Sequence, residues 1–388
     1  MKKKILVYTA SRSEYGILKS IIFELKKNKD INLRVLATGT HLRSKFGKTI
    51  NEIKSDNINR LIKINTFRDL SNERNISYAI SNGIKKISKY LGIFKPDVVL
   101  ILGDRFDLFG VAIASLINSI PIAHIHGGES TFGLIDDYVR HSITKISTFH
   151  FTSNQVYRKR VIQMGENPKN VICTGSPSVD LIKNLKFLDK EELKKELNII
   201  IKKKLLTVTY NPISTNKNKT VLEINNLLKV LAKYKNSTIV YTLPTYDNYS
   251  YIVSKKIKKI CKKYENMFFF NSLGHTKYLS LVKLSDIVIG NSSSGIIEAP
   301  YLKTPTLNIG DRQLGREMSP SIFNVKSNIG DIKNKIDYIF SIKNKRKLYN
   351  KNTYGYGNAS KKISNFLIKK NLQNFGTGKK FFDLNFKL

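Results

Sequence analysis

A crowded polar stretch at residues 121–142, PIAHIHGGESTFGLIDDYVRHS, contains three carboxylates, three histidines and one arginine. Side chains of these types can either bind a metal ion or perform acid/base chemistry. His124 and His126 alternate on a predicted strand, so they point to opposite faces and cannot both bind one ion. The sequence has no HExxH motif and no cluster of cysteines and histidines. We therefore predict no metal site here, and we predict that His124 is a hydrogen-bonded core residue.

The segment DDYVRHSITK is predicted to form a helix with a polar edge. Its apolar face consists of Ile135, Val139, Ile143 and Ile146. Asp136 and Arg140 are four residues apart, so they share a face near the helix start, close to the loop that carries Glu129. Two carboxylates in a partly desolvated site can have different pKa values, as acid/base catalysis requires. A helix cap and an intrahelical ion pair would use the same residues without catalysis.

A second candidate site lies in IVIGNSSSGIIEAP, residues 287–300. A strand is followed by a turn of small polar residues and then by a helix. The free N–H groups and the positive dipole end of a helix start favour phosphate. Ser292 and Ser293 can add hydroxyl donors, and Glu298 can accept hydrogen bonds from ribose hydroxyls one turn later. Capping of the helix by serine explains the same residues without a ligand.

Charged residues follow three further predicted strands. Arg312 and Arg316, in NIGDRQLGRE, can clamp a diphosphate because arginine offers a planar fork of donors. Arg12 follows the first strand and occupies the mirror position in the other half of the chain. Asp104, in ILGDRFDLF, either caps the next helix or acts as a carboxylate in the site. The arginines can also be ordinary surface residues.

The elements that must position these groups alternate between strand and helix along the chain. Apolar runs such as KKILVYTA, DVVLILGD and DIVIG are typical of strands buried on both faces. Their alternation with helical patterns predicts parallel sheets covered by helices, and ligands bind such sheets at the carboxyl ends of strands. We predict an α/β chain with Rossmann-like doubly wound domains at 1–178 and 179–365 that face each other across a cleft. The tail, 366–388, either docks or trails.

The composition narrows the class of protein. The chain has 388 residues and a net charge of +38, a balance typical of nucleic-acid-binding and membrane-surface proteins. Its lysines are spread over the whole length without an RNA-binding motif, so we expect neither nucleic acid nor membrane as a partner. The N-terminal MKKKILVYTA has too short an apolar run for a signal peptide. Only Cys173 and Cys261 occur, so we expect a cytoplasmic protein without disulfides.

Eight motifs together resemble the hydrolysing UDP-N-acetylglucosamine 2-epimerases of sialic acid biosynthesis. They are SRSEYG, ATGTHL, LGDRFD, HIHGGE, DDYVRHSITK, TGSPSVD, GNSSSGIIEAP and GDRQLGRE, in family order. The resemblance implies a GT-B arrangement, a homodimer, and a reaction without metal or nicotinamide cofactor. It also implies elimination of UDP to a 2-acetamidoglucal, followed by hydration to N-acetylmannosamine.

The resemblance also implies roles for individual residues. The nucleotide would be held by Arg12, Ser292, Ser293, Glu298 and Arg312. The sugar and acid/base region would contain Asp104, Asp136 and Arg140, with Glu129 as a further carboxylate and His126 where many members have a catalytic glutamate. A second departure is Asn211, in Tyr210-Asn211-Pro212, where many members have histidine. Asparagine can donate a hydrogen bond but cannot titrate.

Three alternatives stay open on the sequence alone. The first is the same chemistry on GDP-N,N'-diacetylbacillosamine, as in legionaminic acid synthesis. The second is a retaining GT-B glycosyltransferase, which needs an acceptor site and no base at C2. The third is an anion- or nucleic-acid-binding protein, which the scattered lysines disfavour. The main prediction is the epimerase that acts on UDP-N-acetylglucosamine.

Overall fold

A computed structural model describes most of the chain, in two compact units. The described residues are 2–44, 49–58, 60–66, 73–132, 134–213, 216–244, 249–344, 346–349, 351–372 and 378–385. The first unit consists of Met1–Ser130, Ile135–Leu181 and Tyr354–Leu388. The second unit consists of Thr131–Leu134 and Ile182–Thr353.

Thirteen strands are found in the described part of the chain. The first unit contains β1 (Lys3–Thr9), β2 (Ile31–Ala37), β3 (Leu61–Lys63), β4 (Val98–Leu102), β5 (Ile122–Ile125), β6 (Phe149–Thr152) and β7 (Val171–Cys173). The second contains β8 (Lys204–Thr209), β9 (Ser237–Thr242), β10 (Met267–Phe270), β11 (Ile287–Gly290), β12 (Thr306–Ile309) and β13 (Ile322–Val325).

The helices alternate with these strands along the chain. Those before β8 are α1 (Arg12–Lys26), α2 (Ile50–Ser55), α3 (Glu73–Phe94), α4 (Asp107–Ile117), α5 (Ile135–Ile146), α6 (Gln155–Gln163), α7 (Pro177–Lys183) and α8 (Lys190–Leu197). Those after β8 are α9 (Lys217–Leu231), α10 (Ser250–Cys261), α11 (Gly274–Leu284), α12 (Ser293–Tyr301), α13 (Ile329–Ser341) and α14 (Ala359–Lys369). Short 3₁₀ helices occur at Gly39–Leu42, Pro168–Asn170 and Arg346–Tyr349.

Each unit is built on one parallel sheet. The order is β3-β2-β1-β4-β5-β6-β7 in the first unit and β10-β9-β8-β11-β12-β13 in the second. In both sheets the chain first moves outward in one direction and then returns to add strands on the other side. The reversal falls between β1 and β4, and between β8 and β11, which are hydrogen-bonded neighbours. Ligands of doubly wound sheets bind at the carboxyl ends of strands beside such a reversal.

Both faces of each sheet are buried under helices. In the first unit Ile5, Val7 and Leu100 pack on one face, while Leu6 and Ile101 pack on the other. This explains why the strands are continuous apolar runs rather than alternating patterns. The second unit has a core of the same kind around β8, β9 and β11.

The last helix completes the core of the first unit. Ile363 and Leu367 of α14 are fully buried in the same cluster as Leu18 and Ile21 of α1. The Lys3 ammonium group caps the C-terminal end of α14 by donating to the carbonyl oxygens of Leu367 and Lys370, at 3.0 and 2.8 Å. No helix in the described ranges has the length and hydropathy needed to cross a membrane.

Candidate functional site

The carboxyl ends of β4 and β5 in the first unit are tied together by one buried arginine. Arg140, on α5, is 1% exposed. Its guanidinium pairs with the carboxylate of Asp104, directly after β4. It also donates at 2.9 Å to Asp137 and at 2.9 Å to the backbone oxygen of Glu129, after β5. A buried guanidinium needs this many acceptors, so Arg140 fixes three segments of the site at once.

Asp104 and Asp136 occupy different positions relative to this arginine. Asp104 does not begin the next helix, since α4 starts at Asp107 with no side-chain cap. Asp136 is half-buried in the first turn of α5. Asp137, which was not predicted as a site residue, contacts Arg140 from the same helix. The i,i+3 spacing of Asp137 and Arg140 was the available signal.

His126 and Glu129 form a second buried group, after β5. They are 9% and 1% exposed, and Nδ1 of His126 lies 3.8 Å from a Glu129 carboxylate oxygen. The other ring nitrogen lies 3.0 Å from the Ser176 hydroxyl, while Ser153 donates to Glu129 at 2.9 Å. His126 has a φ of +67°, which is uncommon for a residue with a side chain and costs free energy. Ser176 belongs to the TGSPSVD motif, although no contact with His126 was predicted for it, and Ser153 lies in none of the eight motifs.

His124 is a hydrogen-bonded core residue, as predicted. It is fully buried, and its Nε2 donates to the backbone oxygen of Gly103 at 2.7 Å. Burial lowers the pKa of His124 to about 3, so the ring is neutral at physiological pH. Within the described ranges, no three side chains of the His, Cys, Asp and Glu types come together in a way that would hold a metal ion.

The carboxyl end of β1 adds a buried carboxyl group that the sequence reasoning missed. Glu14, in the first turn of α1, accepts a hydrogen bond from the Ala10 N–H at 2.7 Å and lies 3.3 Å from Arg105. Burial raises the pKa of Glu14 to about 7, although Arg105 opposes the shift. Arg12, two residues before it, pairs with Glu52 at 3.1 Å and keeps 40% of its side chain exposed. Only the SRSEYG motif pointed to this position.

In the second unit the predicted phosphate-binding turn opens α12. Ser292 is the N-cap, and its hydroxyl accepts from the N–H of Ser294 at 3.3 Å. Gly290 has a φ of +135°, and a Cβ there would lie 2.0 Å from the Thr209 carbonyl oxygen. The turn therefore approaches the end of β8 so closely that only glycine fits. Ser293 is the first residue of the helix, as the motif required.

Three strand ends of the second unit meet at one asparagine. The side chain of Asn291 accepts from the N–H of Asn211 at 2.7 Å and donates to its carbonyl oxygen at 2.8 Å. The carbonyl oxygen of Asn291 accepts from Arg312 at 3.2 Å and from Gln313 at 2.9 Å. Arg312 is thereby held beside the start of α12, together with Ser292. Gln313 was not predicted, because nothing in its local sequence indicates a contact with β11.

Glu298 lies one turn into α12 and faces a small hydroxyl cluster. Its carboxylate accepts a short hydrogen bond from Ser294, whose hydroxyl accepts from Tyr278 at 2.9 Å. Burial raises the pKa of Glu298, and the bond from Ser294 opposes that shift. Of the five residues predicted to bind a nucleotide, four follow strand ends, namely Arg12 in the first unit and Ser292, Ser293 and Arg312 in the second. Glu298 lies within α12.

Comparisons with known proteins agree with this architecture. A family model described as UDP-N-acetylglucosamine 2-epimerase matches residues 23–368. The GDP/UDP-N,N'-diacetylbacillosamine 2-epimerase (hydrolyzing) of Campylobacter jejuni is 40% identical over 85% of this chain and 86% of its own. Polysialic acid biosynthesis protein P7 of Escherichia coli is 36% identical over 83% and 82%. The UDP-N,N'-diacetylbacillosamine 2-epimerase of Legionella pneumophila is 30% identical over 95% and 96%.

Solved structures show the same fold. The UDP-GlcNAc 2-epimerase of Neisseria meningitidis, solved bound to UDP-GlcNAc, superposes with a TM-score of 0.81 at 22% identity, over 95% of this chain and all of its own. The enzyme of Methanocaldococcus jannaschii gives 0.79 at 20% identity, over the same shares. The predicted α/β, GT-B-like class with two Rossmann-like units is confirmed. The chain belongs to the UDP-N-acetylglucosamine 2-epimerase family.

Proposed function

We propose that this protein is a hydrolysing 2-epimerase of a nucleoside-diphosphate-linked 2-acetamido sugar. The observation that carries the proposal is the buried Arg140, which holds the carboxylate of Asp104 at the strand ends where doubly wound sheets bind ligands. The second unit supports it with a helix start, two serines and Arg312, which suit a diphosphate. Family membership supplies the reaction class.

The proposed reaction has two stages, each balanced in atoms. A base removes the proton from C2 as the bond between C1 and the diphosphate oxygen breaks, which leaves a C1–C2 double bond. Water then adds its hydroxyl to C1, and a proton returns to C2 on the opposite face. The products are the free C2-inverted sugar and the nucleoside diphosphate. The leaving diphosphate is stabilised by cations and N–H groups rather than by a proton.

Inversion at C2 requires proton-transfer groups on two faces of the sugar. The first unit offers two acid/base groups, one of Asp104 with Arg140 and one of His126 with Glu129. We assign Asp104 and Asp136 to the sugar, and we assign the His126–Glu129 pair the part that a single glutamate plays in many relatives. Histidine next to a carboxylate is a suitable general base near neutral pH.

The preferred substrate is a diacetamido sugar, N,N'-diacetylbacillosamine linked to UDP or GDP. This preference follows from the relatives at 40% and 30% identity, whose names specify that sugar. UDP-N-acetylglucosamine is the second candidate, because a Neisseria meningitidis UDP-N-acetylglucosamine 2-epimerase is 27% identical over 99% of this chain. The main prediction from the sequence was UDP-N-acetylglucosamine, so the two candidates now stand in the opposite order.

A substrate panel tests the proposal. The protein is incubated with UDP-N-acetylglucosamine and with UDP- and GDP-linked N,N'-diacetylbacillosamine, and release of nucleoside diphosphate is measured. We expect turnover of a diacetamido substrate with a kcat/KM at least tenfold above that of UDP-N-acetylglucosamine, and none in Asp104→Asn. Faster turnover of UDP-N-acetylglucosamine would establish the second candidate. No turnover of any of the three would contradict the proposed function.

A further inference from the structure

A chain of hydroxyl groups lies behind Glu298 in the second unit. The phenol of Tyr278, on α11, donates to the hydroxyl of Ser294 at 2.9 Å. Ser294 in turn donates to one carboxylate oxygen of Glu298, its neighbour one turn along α12. Burial raises the pKa of Tyr278 to about 12, so the phenol keeps the proton that it donates to Ser294. The hydrogen bonds are therefore donated from Tyr278 to Ser294 and from Ser294 to the Glu298 carboxylate.

The far end of this chain is anchored in the sheet. Thr209, the last residue of β8, hydrogen-bonds to Tyr278 and lies 2.5 Å from the hydroxyl of Thr242 at the end of β9. Tyr278 packs against the apolar cluster of Val282, Val288 and Ala299. The anchored Tyr278 phenol donates to the Ser294 hydroxyl, so the single proton of that hydroxyl is left for Glu298. The Ser294 hydroxyl therefore has one orientation.

The helix that carries Ser294 and Glu298 is itself held closely against the sheet. Gly295 touches β12 so tightly that an added Cβ would lie 2.8 Å from the Thr306 methyl group. The Thr306 hydroxyl donates to the carbonyl oxygen of Gly295 at 2.8 Å. The position of Glu298 is thus fixed by its backbone, and its side-chain orientation is fixed by Ser294.

Only one oxygen of Glu298 is used in this way. Among the described residues, Oε2 of Glu298 accepts from Ser294 and Oε1 accepts no hydrogen bond from the protein. The Glu298 residue as a whole is half-buried rather than fully buried. A carboxylate with one oxygen fixed and the other open is arranged to accept a hydrogen bond from a ligand.

We propose that Ser294, oriented by Tyr278, is the positioning residue that turns the free oxygen of Glu298 toward a ribose hydroxyl of the bound nucleotide. The inference rests on the proposed function, which puts a nucleotide at the start of α12. In this arrangement the Tyr278–Ser294 pair favours the binding of ribonucleotides over nucleotides that lack the ribose hydroxyls. The alternative is that the pair only joins α11 to α12, and that role would not distinguish one sugar from another.

The test compares binding of UDP and GDP with binding of their 2′,3′-dideoxy forms, by calorimetry, in the full-length protein. We expect the wild type to bind one ribonucleotide at least tenfold more tightly than its dideoxy form. Ser294→Ala and Tyr278→Phe should lose most of this ratio by weakening only the ribonucleotide, with kcat changed less than about twofold. Ser294→Thr restores the hydroxyl and should restore the ratio.

A matched control comes from the same unit. The phenol of Tyr234 donates directly to the carboxylate of Asp337 at 2.8 Å, and neither residue belongs to the turn that opens α12. Tyr234→Phe should leave the ratio unchanged, which separates the proposal from a general loss of stability. An unchanged ratio in Ser294→Ala and Tyr278→Phe, or a wild type that binds both forms equally, would overturn the inference. A wild type that binds neither UDP nor GDP would instead contradict the proposed function.

Discussion

At the scale of single residues, the candidate site of the first unit depends on how its buried charges are satisfied. Arg140 is the largest side chain that is almost completely buried, and it is balanced by two carboxylates and a carbonyl oxygen. Such a group contributes little to stability by itself, but removing one partner leaves an uncompensated charge. The contacts of Arg140 with the ends of β4 and β5 and with α5 support our proposal that this arginine orients Asp104 for chemistry.

Arg140→Lys tests this reading of the buried cluster. Lysine keeps the charge but cannot bond the Asp104 carboxylate, Asp137 and the Glu129 carbonyl together, because it lacks the planar fork. We expect kcat/KM to fall at least about 100-fold and the free energy of unfolding to fall by about 3 kcal/mol. Arg158→Lys is the control, since the Arg158 guanidinium in the same unit also bridges two segments, through the carbonyl oxygens of Val171 and Pro168. Wild-type kcat/KM in Arg140→Lys would show that the guanidinium is not needed.

At the scale of elements, the proposed nucleotide site of the second unit depends on hydrogen bonds between strand ends. Asn291 links the ends of β8, β11 and β12 through four hydrogen bonds of its side chain and carbonyl. Gly290 permits the close approach that makes these bonds possible. Arg312 and Ser292 are therefore positioned by backbone contacts between strand ends rather than by each other.

Asn291→Asp tests this linkage with almost no change in shape. The new carboxylate loses the donor to the Asn211 carbonyl and repels it instead, so the turn after β8 should move away. We expect the affinity for the nucleoside diphosphate to fall about tenfold or more, as measured by calorimetry. Asn118→Asp, which loses comparable amide bonds in the first unit, should bind normally. Equal affinity in Asn291→Asp and the wild type would remove Asn291 from the positioning of Arg312.

The C-terminal segment, residues 378–385, is attached to α5 and β6 through a buried carboxylate. Lys379 donates to both oxygens of Glu166 and to the carbonyl oxygen of Ser147. Lys145, on α5, and His150, on β6, complete the surroundings of Glu166. Burial raises the pKa of Glu166, but hydrogen bonds from His150, Lys145 and Lys379 outweigh it and lower the pKa to about 2.

This cluster predicts a defined pH dependence of stability. The folded pKa of Glu166 lies below its ordinary value of 4.5, so its contribution is fully present above pH 4.5 and is lost as pH falls toward 2. Glu166→Gln should therefore be less stable than the wild type at pH 7, and the difference should shrink between pH 4.5 and 2. Chemical unfolding at several pH values measures this. A constant difference over that range would show that Glu166 is not ionised in the folded protein.

At the scale of the whole molecule, the sequence predicted the architecture because its strands are buried on both faces. Continuous apolar runs such as β1 and β4 are typical of buried parallel strands. The polar residues that follow these strands indicated the candidate sites. The segments that were not singled out, such as β3 and β13, are short and only partly buried. Their strand structure depends on pairing with β2 and β12, which is a tertiary effect.

The contacts of the site were less predictable than its members. Asp104 and Arg140 were identified from motifs, but their ion pair joins residues 36 positions apart and required the folded sheet. Asn291 and Gln313 act through backbone groups at the ends of neighbouring strands, and no local pattern encodes such contacts. The expected homodimer and the cytoplasmic location stay predictions from the sequence.

The central claim is that a protein group removes and returns the proton at C2 of a nucleotide-linked sugar. The most direct measurement is turnover of N,N'-diacetylbacillosamine linked to UDP or GDP in D2O, followed by proton NMR of the released sugar. We predict a free sugar with inverted C2 that carries deuterium at that carbon, because the returned proton comes from solvent. A released sugar that keeps its original hydrogen and configuration at C2 would show simple hydrolysis of the glycosidic bond and would contradict the account.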